Sequence, residues 1–193
     1  MAMKPFLVIA ISFLSLARAH TENSDVQQDL VENGQVHIAT LQNADDIPGI
    51  RGHFLVRGER ECVYSQIKDI EFFKESYRNI EELVVLKELD DGAELELTLN
   101  VIIKRITYTV ERTHDDEEFL VIWHKTGGDL DYISGLWDVE ESRFPNRCLV
   151  IYESYVKPKG PFPVKLYRWL ALQQARSNLS KLQRILDETC SRH

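Results

Sequence analysis

The sequence predicts an α+β protein in which one long C-terminal helix lies across the concave face of a curved antiparallel sheet. The first observation is that apolar residues recur three or four apart from about Phe162 to Cys190, the spacing of one helical face. The second is that the preceding half of the chain alternates apolar and polar residues between short turns, and strands joined by short turns must be antiparallel. A helix of about 26 residues is about 40 Å long. Its apolar stripe therefore needs an equally long partner, which the strands supply.

The N-terminal 19 residues are predicted to be a secretory signal peptide. Lys4 provides a positive start, Phe6 to Leu16 is a short apolar run, and Ala17-Arg18-Ala19 has the small-x-small pattern of a cleavage site. An apolar run of about a dozen residues is shorter than the roughly 20 needed to span a bilayer. We therefore expect an exported protein, periplasmic or secreted, with no stable transmembrane anchor.

The rest of the chain reads as one domain with a short extension. Residues 20–34 are polar and acidic and are predicted to be a flexible lead-in, and residues 35–193 form the domain. The formal charge of the whole chain is -8, and it becomes about -10 when Lys4 and Arg18 are removed with the signal peptide. This acidity argues against nucleic acid and anionic membrane surfaces as partners.

Strand and helix signals alternate in the first part of the domain. Gln35 to Leu41 alternates only weakly, whereas Gly52 to Gly58 is a firmer strand candidate. From Arg60 to Ser76 the apolar residues change to helical spacing, which predicts two short helices. The predicted order is therefore a first strand, two short helices, about six strands and the long helix.

From Ile80 the pattern has the period of two that is typical of strands. Asp90-Asp91-Gly92 separates the first two of these segments and is the strongest hairpin signal in the chain. The alternating segments contain, in order, Leu83, Ala93, Ile106, Phe119, Ile133 and Val150.

Motifs of catalysis or metal binding are not found in the sequence. It lacks a nucleophile elbow, a His-Glu-x-x-His pair and a phosphate-binding loop. The run His114 to Glu118 is better explained as a solvated acidic turn than as a metal site, because no three ligands are fixed in space. His124 follows Trp123 on a strand, so the two side chains point to opposite faces. We assign no catalytic residue, metal or cofactor.

Large side chains on the apolar phase of the strands and helix are the candidate ligand-pocket residues. These residues either form a plain core or line a cavity. The polar tips of Tyr and Trp favour a cavity, because they need hydrogen-bond partners when buried. The candidates are Leu97, Tyr108, Trp123, Trp137 and Tyr152 on the strands, and Tyr167, Ala171 and Ala175 on the helix.

Three stretches of the sequence carry a family resemblance. They are a Gly-then-Trp strand from Gly128 to Glu140, the positions Val63, Ile67, Asp69 and Phe73 of the first helices, and the segment Ile47 to Gly52. With the layout they resemble the START-like (SRPBCC, polyketide cyclase and lipid-transport) superfamily, and Ile47 to Gly52 resembles the lead-in of its secreted bacterial members. The resemblance covers about Gln35 to Leu186. It implies a helix-grip fold with a cavity between sheet and helix, as in lipid-binding and coenzyme Q-binding-like members.

The resemblance implies binding or transport of a hydrophobic small molecule, such as a lipid, quinone, sterol or polyketide-like compound. Two alternatives are an aromatase/cyclase-type enzyme that uses the same cavity and a non-catalytic interaction module whose pocket has collapsed. The START-like layout also places the short helices beside the far end of the long helix. It therefore implies a disulfide between Cys62 and Cys190, which leaves Cys148 reduced.

Overall fold

The computed structural model describes residues 27, 29–31, 33–77, 79–101, 104–160 and 164–191. Within this part, an 8-stranded antiparallel sheet is combined with three helices. The strands are β1 (His37–Gln42), β2 (Pro48–Arg57), β3 (Ile80–Leu89), β4 (Gly92–Val101), β5 (Lys104–Asp115), β6 (Leu120–Gly128), β7 (Leu130–Glu141) and β8 (Arg147–Pro158). The helices are α1 (Arg60–Lys68), α2 (Ile70–Ser76) and α3 (Val164–Cys190).

The strands follow the order β1-β2-β8-β7-β6-β5-β4-β3, and each neighbouring pair is antiparallel. This confirms the predicted α+β class and the long C-terminal helix. One detail of the prediction is wrong, because the two short helices follow the second strand and not the first. The weak segment at 35–41 forms most of β1, which among the described strands lies at the edge of the sheet and pairs with β2.

Helix α3 packs its apolar face on the inner face of the sheet. Leu179, Leu182 and Leu186 are buried in one cluster with Phe54 of β2 and with residues of β7 and β8. At Gly52 a Cβ atom would collide with the Cδ1 atom of Leu179. The missing side chain at Gly52 therefore allows the helix to approach β2 closely.

Helices α1 and α2 close the end of the sheet at which α3 ends. Cys62 of α1 and Cys190 of α3 form a disulfide with a Cα–Cα distance of 5.9 Å, and Cys148 is a buried free thiol. Asp69 lies between the two short helices, and its side chain accepts a hydrogen bond of 2.9 Å from the backbone N–H of Phe72. This cap ends α1 and begins α2.

Part of the predicted flexible lead-in lies against the outer face of the sheet. Residues 27, 29–31 and 33 are helical, and Leu30 is buried against Leu55, Leu149 and Ile151. The contact forms because apolar side chains of β2 and β8 point to the outer face of the sheet. Leu30 covers them, although the rest of its segment is polar. The predicted signal peptide, residues 1–19, lies outside the described residues. Among the described helices none is long and apolar enough to cross a membrane.

Candidate functional site

A cavity of about 400 Å³ lies between the concave face of the sheet and α3. This volume is within the range of small-molecule sites, about 300–1,000 Å³. The cavity exists because every second residue of β4 to β8 points to the same face, as the pleat of a strand requires. On α3 the lining residues follow helical spacing and are Ala171, Gln174, Ala175, Asn178 and Leu179.

Seven of the eight candidate pocket residues have described side chains, and the structure places all seven on the wall of this cavity. They are Leu97, Tyr108, Trp123, Trp137, Tyr152, Ala171 and Ala175. The backbone of the eighth, Tyr167, is in α3, but its side chain lies outside the described residues.

Three aromatic rings form the broadest part of the wall. Trp123 stacks on Tyr152 at a centroid distance of 5.8 Å, and Tyr152 lies 4.4 Å from the ring of Trp137. Trp137 also meets Phe54 edge-on at 6.5 Å, so it belongs both to the core under α3 and to the cavity wall. The packed rings therefore give this part of the wall a broad apolar surface.

A buried cation lies at one end of the cavity. Arg112 is 6% exposed, and its guanidinium donates hydrogen bonds of 2.6 Å and 2.9 Å to the carbonyl oxygens of Ile67 and Lys68 at the end of α1. Burial lowers the pKa of Arg112 to about 10, so the side chain remains charged at neutral pH. The ring of Phe73 lies 5.7 Å from the guanidinium carbon.

Tyr77 lines the same end of the cavity. Its hydroxyl oxygen is packed out of reach of the cavity and has no hydrogen-bond partner among the described residues. Burial raises the pKa of Tyr77 well above its usual value, so the hydroxyl keeps its proton. The ring packs 4.7 Å from that of Phe73, and Phe73 also lies beside Arg112. The two polar groups are therefore held at the same end.

A chain of amides links α3 to the segment before β3. The Gln174 side chain donates to Asn178 at 3.0 Å, and Asn178 donates to Asn79 at 3.3 Å. All three residues line the cavity, so these bonds close its side where the sheet does not reach the helix.

Arg112 and Tyr77 were not among the site residues predicted from the sequence. Strand alternation could have identified Arg112, because it lies two residues after Val110 on β5 and therefore on the same face as Tyr108 and Val110. Tyr77 shares the helical stripe of Phe73, but spacing alone does not distinguish a core position from a cavity wall.

Carboxylates are rare among the wall residues that the structure describes. Among the described lining residues the carboxylate is that of Asp129, which is exposed at the rim and accepts a hydrogen bond of 3.1 Å from the Thr107 backbone N–H. Burial, and then the charge of Glu140, raise the pKa of Asp138 to about 6. Asp138, however, pairs with Ile151 of the outer cluster and faces away from the cavity. No group of three or more possible metal ligands occurs among the described residues.

Comparison with known families gives one match over most of the chain. The model of the family described as polyketide cyclase / dehydrase and lipid transport matches residues 56–183. No curated protein matches the sequence.

Several solved structures share the fold. Human StAR-related lipid transfer protein 5 is 10% identical with a TM-score of 0.65, and the match covers 89% of this chain and 98% of that one. A STAR-related lipid transfer protein from Xanthomonas axonopodis is 13% identical, with a TM-score of 0.63 and coverage of 78% and 93%. The Zhui aromatase/cyclase from Streptomyces sp. R1128 is 14% identical, with a TM-score of 0.60 and coverage of 79% and 94%. At these identities the likeness establishes the fold alone.

Proposed function

Because the chain belongs to the polyketide cyclase / dehydrase and lipid transport family of the START-like superfamily, we propose that it binds or transports one hydrophobic small molecule under α3. The candidate ligands are a lipid, a quinone, a sterol or a polyketide-like compound. The observation that carries the proposal is the cavity of about 400 Å³ with a mainly aromatic and aliphatic wall.

The energetics of such a site are sufficient for useful affinity. A ligand that buries a few hundred Å² of apolar surface gains about 25 cal/mol per Å². For about 400 Å² this gain is about 10 kcal/mol, and after an association cost of about 4 kcal/mol or more it corresponds to binding in the range of tens of micromolar or weaker. A wall that is already formed by packed rings loses little side-chain entropy when the ligand enters, which supports binding over a collapsed interaction module.

We also propose that the protein acts after export, in the periplasm or outside the cell. The N-terminal pattern of residues 1–19 supports export. The disulfide between Cys62 and Cys190 supports it independently, because disulfides persist in oxidising compartments.

Filling the cavity tests the binding proposal. Ala175 is buried on the cavity wall, so Ala175→Phe should place a ring in the ligand space and reduce affinity for the neutral apolar probe N-phenyl-1-naphthylamine by about tenfold or more. Gln173→Phe is the matched control, because Gln173 is exposed on the same helix. Wild-type affinity in the Ala175→Phe variant, with both variants folded, would show that the cavity is not the binding site.

An aromatase/cyclase activity is the second candidate, and the guanidinium of Arg112 on the cavity wall favours it, because a buried cationic donor stabilises an enolate oxygen. General acid–base catalysis also needs a base within reach. The described wall offers only the exposed Asp129 among carboxylates, so binding is the better supported function. Formation of a cyclised, dehydrated product from a poly-β-ketone thioester mimic would favour the enzyme.

A further inference from the structure

We propose that the free edge of β3 is a dimerisation surface, on which β3 of a second copy of this chain pairs antiparallel about a two-fold axis at Val84. The two sheets then continue into each other across the axis. This surface lies outside the cavity, and the inference does not depend on the proposed binding function.

Strand β3 ends the sheet on the side opposite to β1. Among the described strands it pairs only with β4, so its other edge presents backbone N–H and C=O groups that no described strand binds. Such a row of groups is a template for another strand. The register with β4 shifts between Ile80 and Glu82 and again between Val85 and Lys87. The segment 82–85 between the two shifts is regular, and a second strand can pair with it.

The centre of β3 also exposes apolar side chains. Val84, Val85 and Leu86 are 38%, 43% and 50% exposed, and they are three of the six large hydrophobic residues that are exposed in the described part of the chain. Natural edge strands are commonly protected by charged residues or proline, and β3 has neither between Glu82 and Lys87. A second strand laid along this edge would remove part of that apolar surface from water.

The other edge strand, β1, differs in this respect. Its exposed residues are His37, Thr40 and Gln42, which are all polar, and its apolar residues are partly buried. Of the two edges of the described sheet, the β3 edge is therefore the one with an apolar strip.

The order of residues along β3 makes the strand complementary to a second copy of itself. Antiparallel pairing about Val84 places this residue opposite its own counterpart and Leu83 opposite Val85 of the second copy, so apolar side chains meet. Counted outwards along the strands, Glu81 then lies opposite Lys87 of the second copy, once on each side of the axis. Opposite charges that face each other across two strands stabilise the pair.

The neighbouring register is less favourable. A two-fold axis at Val85 would place Glu82 opposite Glu88 and Leu83 opposite Lys87. Like charges directly opposite each other destabilise a strand pair. In the register about Val84 the same surface is used by both copies, so each β3 edge is covered once and assembly stops at two chains.

Sedimentation velocity of the purified protein between about 1 and about 100 µM tests the pairing, because mass action favours a dimer at high concentration. The average mass should rise towards that of two chains. Val84→Lys should stay monomeric over this range, because two lysines would face each other across the axis. Ile122→Lys is the matched control and should dimerise like the wild type, since Ile122 is 43% exposed but lies on β6, inside the sheet.

A mixing experiment tests the position of the axis. Val84→Glu should be monomeric for the same reason as Val84→Lys. An equimolar mixture of the two variants should dimerise at a concentration about tenfold or more below that which either needs alone, because the introduced lysine and glutamate then face each other. Both variants should fold, since Val84 is exposed, and urea unfolding checks this.

Wild-type protein that is monomeric at every concentration would overturn the proposal and leave the β3 edge to an extended segment of a different protein. Dimers that persist in Val84→Lys, or that Ile122→Lys also abolishes, would place the contact on another surface and overturn it as well. A mixture that stays as monomeric as either variant alone would overturn the two-fold axis at Val84.

Discussion

The shape of the cavity depends on a side chain that is absent at Gly135. A Cβ atom there would collide with the indole of Trp123, which lies directly opposite on β6. With glycine at this position the indole lies across β7 and stacks on Tyr152. A single residue without a side chain thus allows two large rings to form a flat wall.

At the residue scale, the outer face of the sheet also contains a carboxylate whose ionisation opposes folding. Burial, and then Glu140, raise the pKa of Asp138 from 3.8 to about 6. A group whose pKa is higher in the folded state stabilises the protein when it is protonated. That stabilisation is lost as the pH rises towards 6.

Asp138→Asn should therefore be more stable than the wild type at neutral pH. The advantage should be small near pH 4 and reach about 1 kcal/mol above pH 6, a figure reduced for solvent screening at a partly buried site. Urea unfolding at several pH values measures the difference. A difference that does not change with pH would contradict the raised pKa.

His53 lies on the same outer face as Asp138, and its pKa is shifted in the opposite direction. Burial, followed by the charges of Arg51 and His37, lowers its pKa from 6.5 to about 4. Its contribution to stability is therefore lost as the pH falls from 6.5 towards 4. The free energy of unfolding of a His53→Gln variant should therefore rise relative to the wild type as the pH falls. For Asp138→Asn it should rise relative to the wild type as the pH increases.

At the scale of elements, strand β5 combines the two properties of the site. Ile106, Tyr108 and Val110 present apolar surface to the cavity, and Arg112 extends the same phase to the carbonyl end of α1. One strand thus provides both the apolar wall and the buried charge that closes it.

The disulfide fixes the end of α3 to α1. The bond closes a separation of 128 residues, and the loss of such a loop constraint typically costs about 2–5 kcal/mol. The double variant Cys62→Ser, Cys190→Ser should therefore unfold at a markedly lower urea concentration. Thiol counting in denaturant without reductant should give one free thiol in the wild type, that of Cys148. A count of three would show that the bond does not form.

The elements with strong local patterns were predictable from the sequence, and those fixed by tertiary contacts were not. The long helix and the Asp90-Asp91-Gly92 hairpin follow from periodicity and turn chemistry. Phe119, expected in a strand, lies in a turn with φ 60° and packs on Tyr64. The packing against Tyr64 is a long-range contact, so the local pattern contains no sign of it.

In the candidate site, too, some features follow from local sequence patterns and others depend on tertiary contacts. Strand alternation identified which rings face the helix, because each strand has a fixed period of two. The end of the cavity beside α1 depends on Arg112 meeting the last carbonyls of α1 and on Tyr77 packing against Phe73. Both depend on how α1 and α2 dock on the sheet, which the sequence does not encode as a pattern.

At the scale of the whole molecule, the two ends of α3 have different surroundings. Its C-terminal half is buried in the main core and linked to α1, whereas Ala171 and Ala175 face the cavity. Trp169, near the start of the helix, is 57% exposed. The C-terminal end of the helix thus holds the fold together, and the preceding turns cover the cavity.

Export of the chain can be tested directly, because both cleavage and oxidation leave a mark on its mass. In a host with a secretion pathway, the protein should be recovered from the periplasm or medium with His20 as its first residue, because cleavage is expected after Ala17-Arg18-Ala19. Intact mass without reductant measures both the cleavage and the disulfide. Ala19→Arg should block processing, since a signal peptidase needs a small residue before the cut, whereas Asn33→Ala, beyond the site, should be processed normally. Recovery of wild-type protein in the cytoplasm, with Met1 retained and Cys62 and Cys190 reduced, would contradict the proposed location.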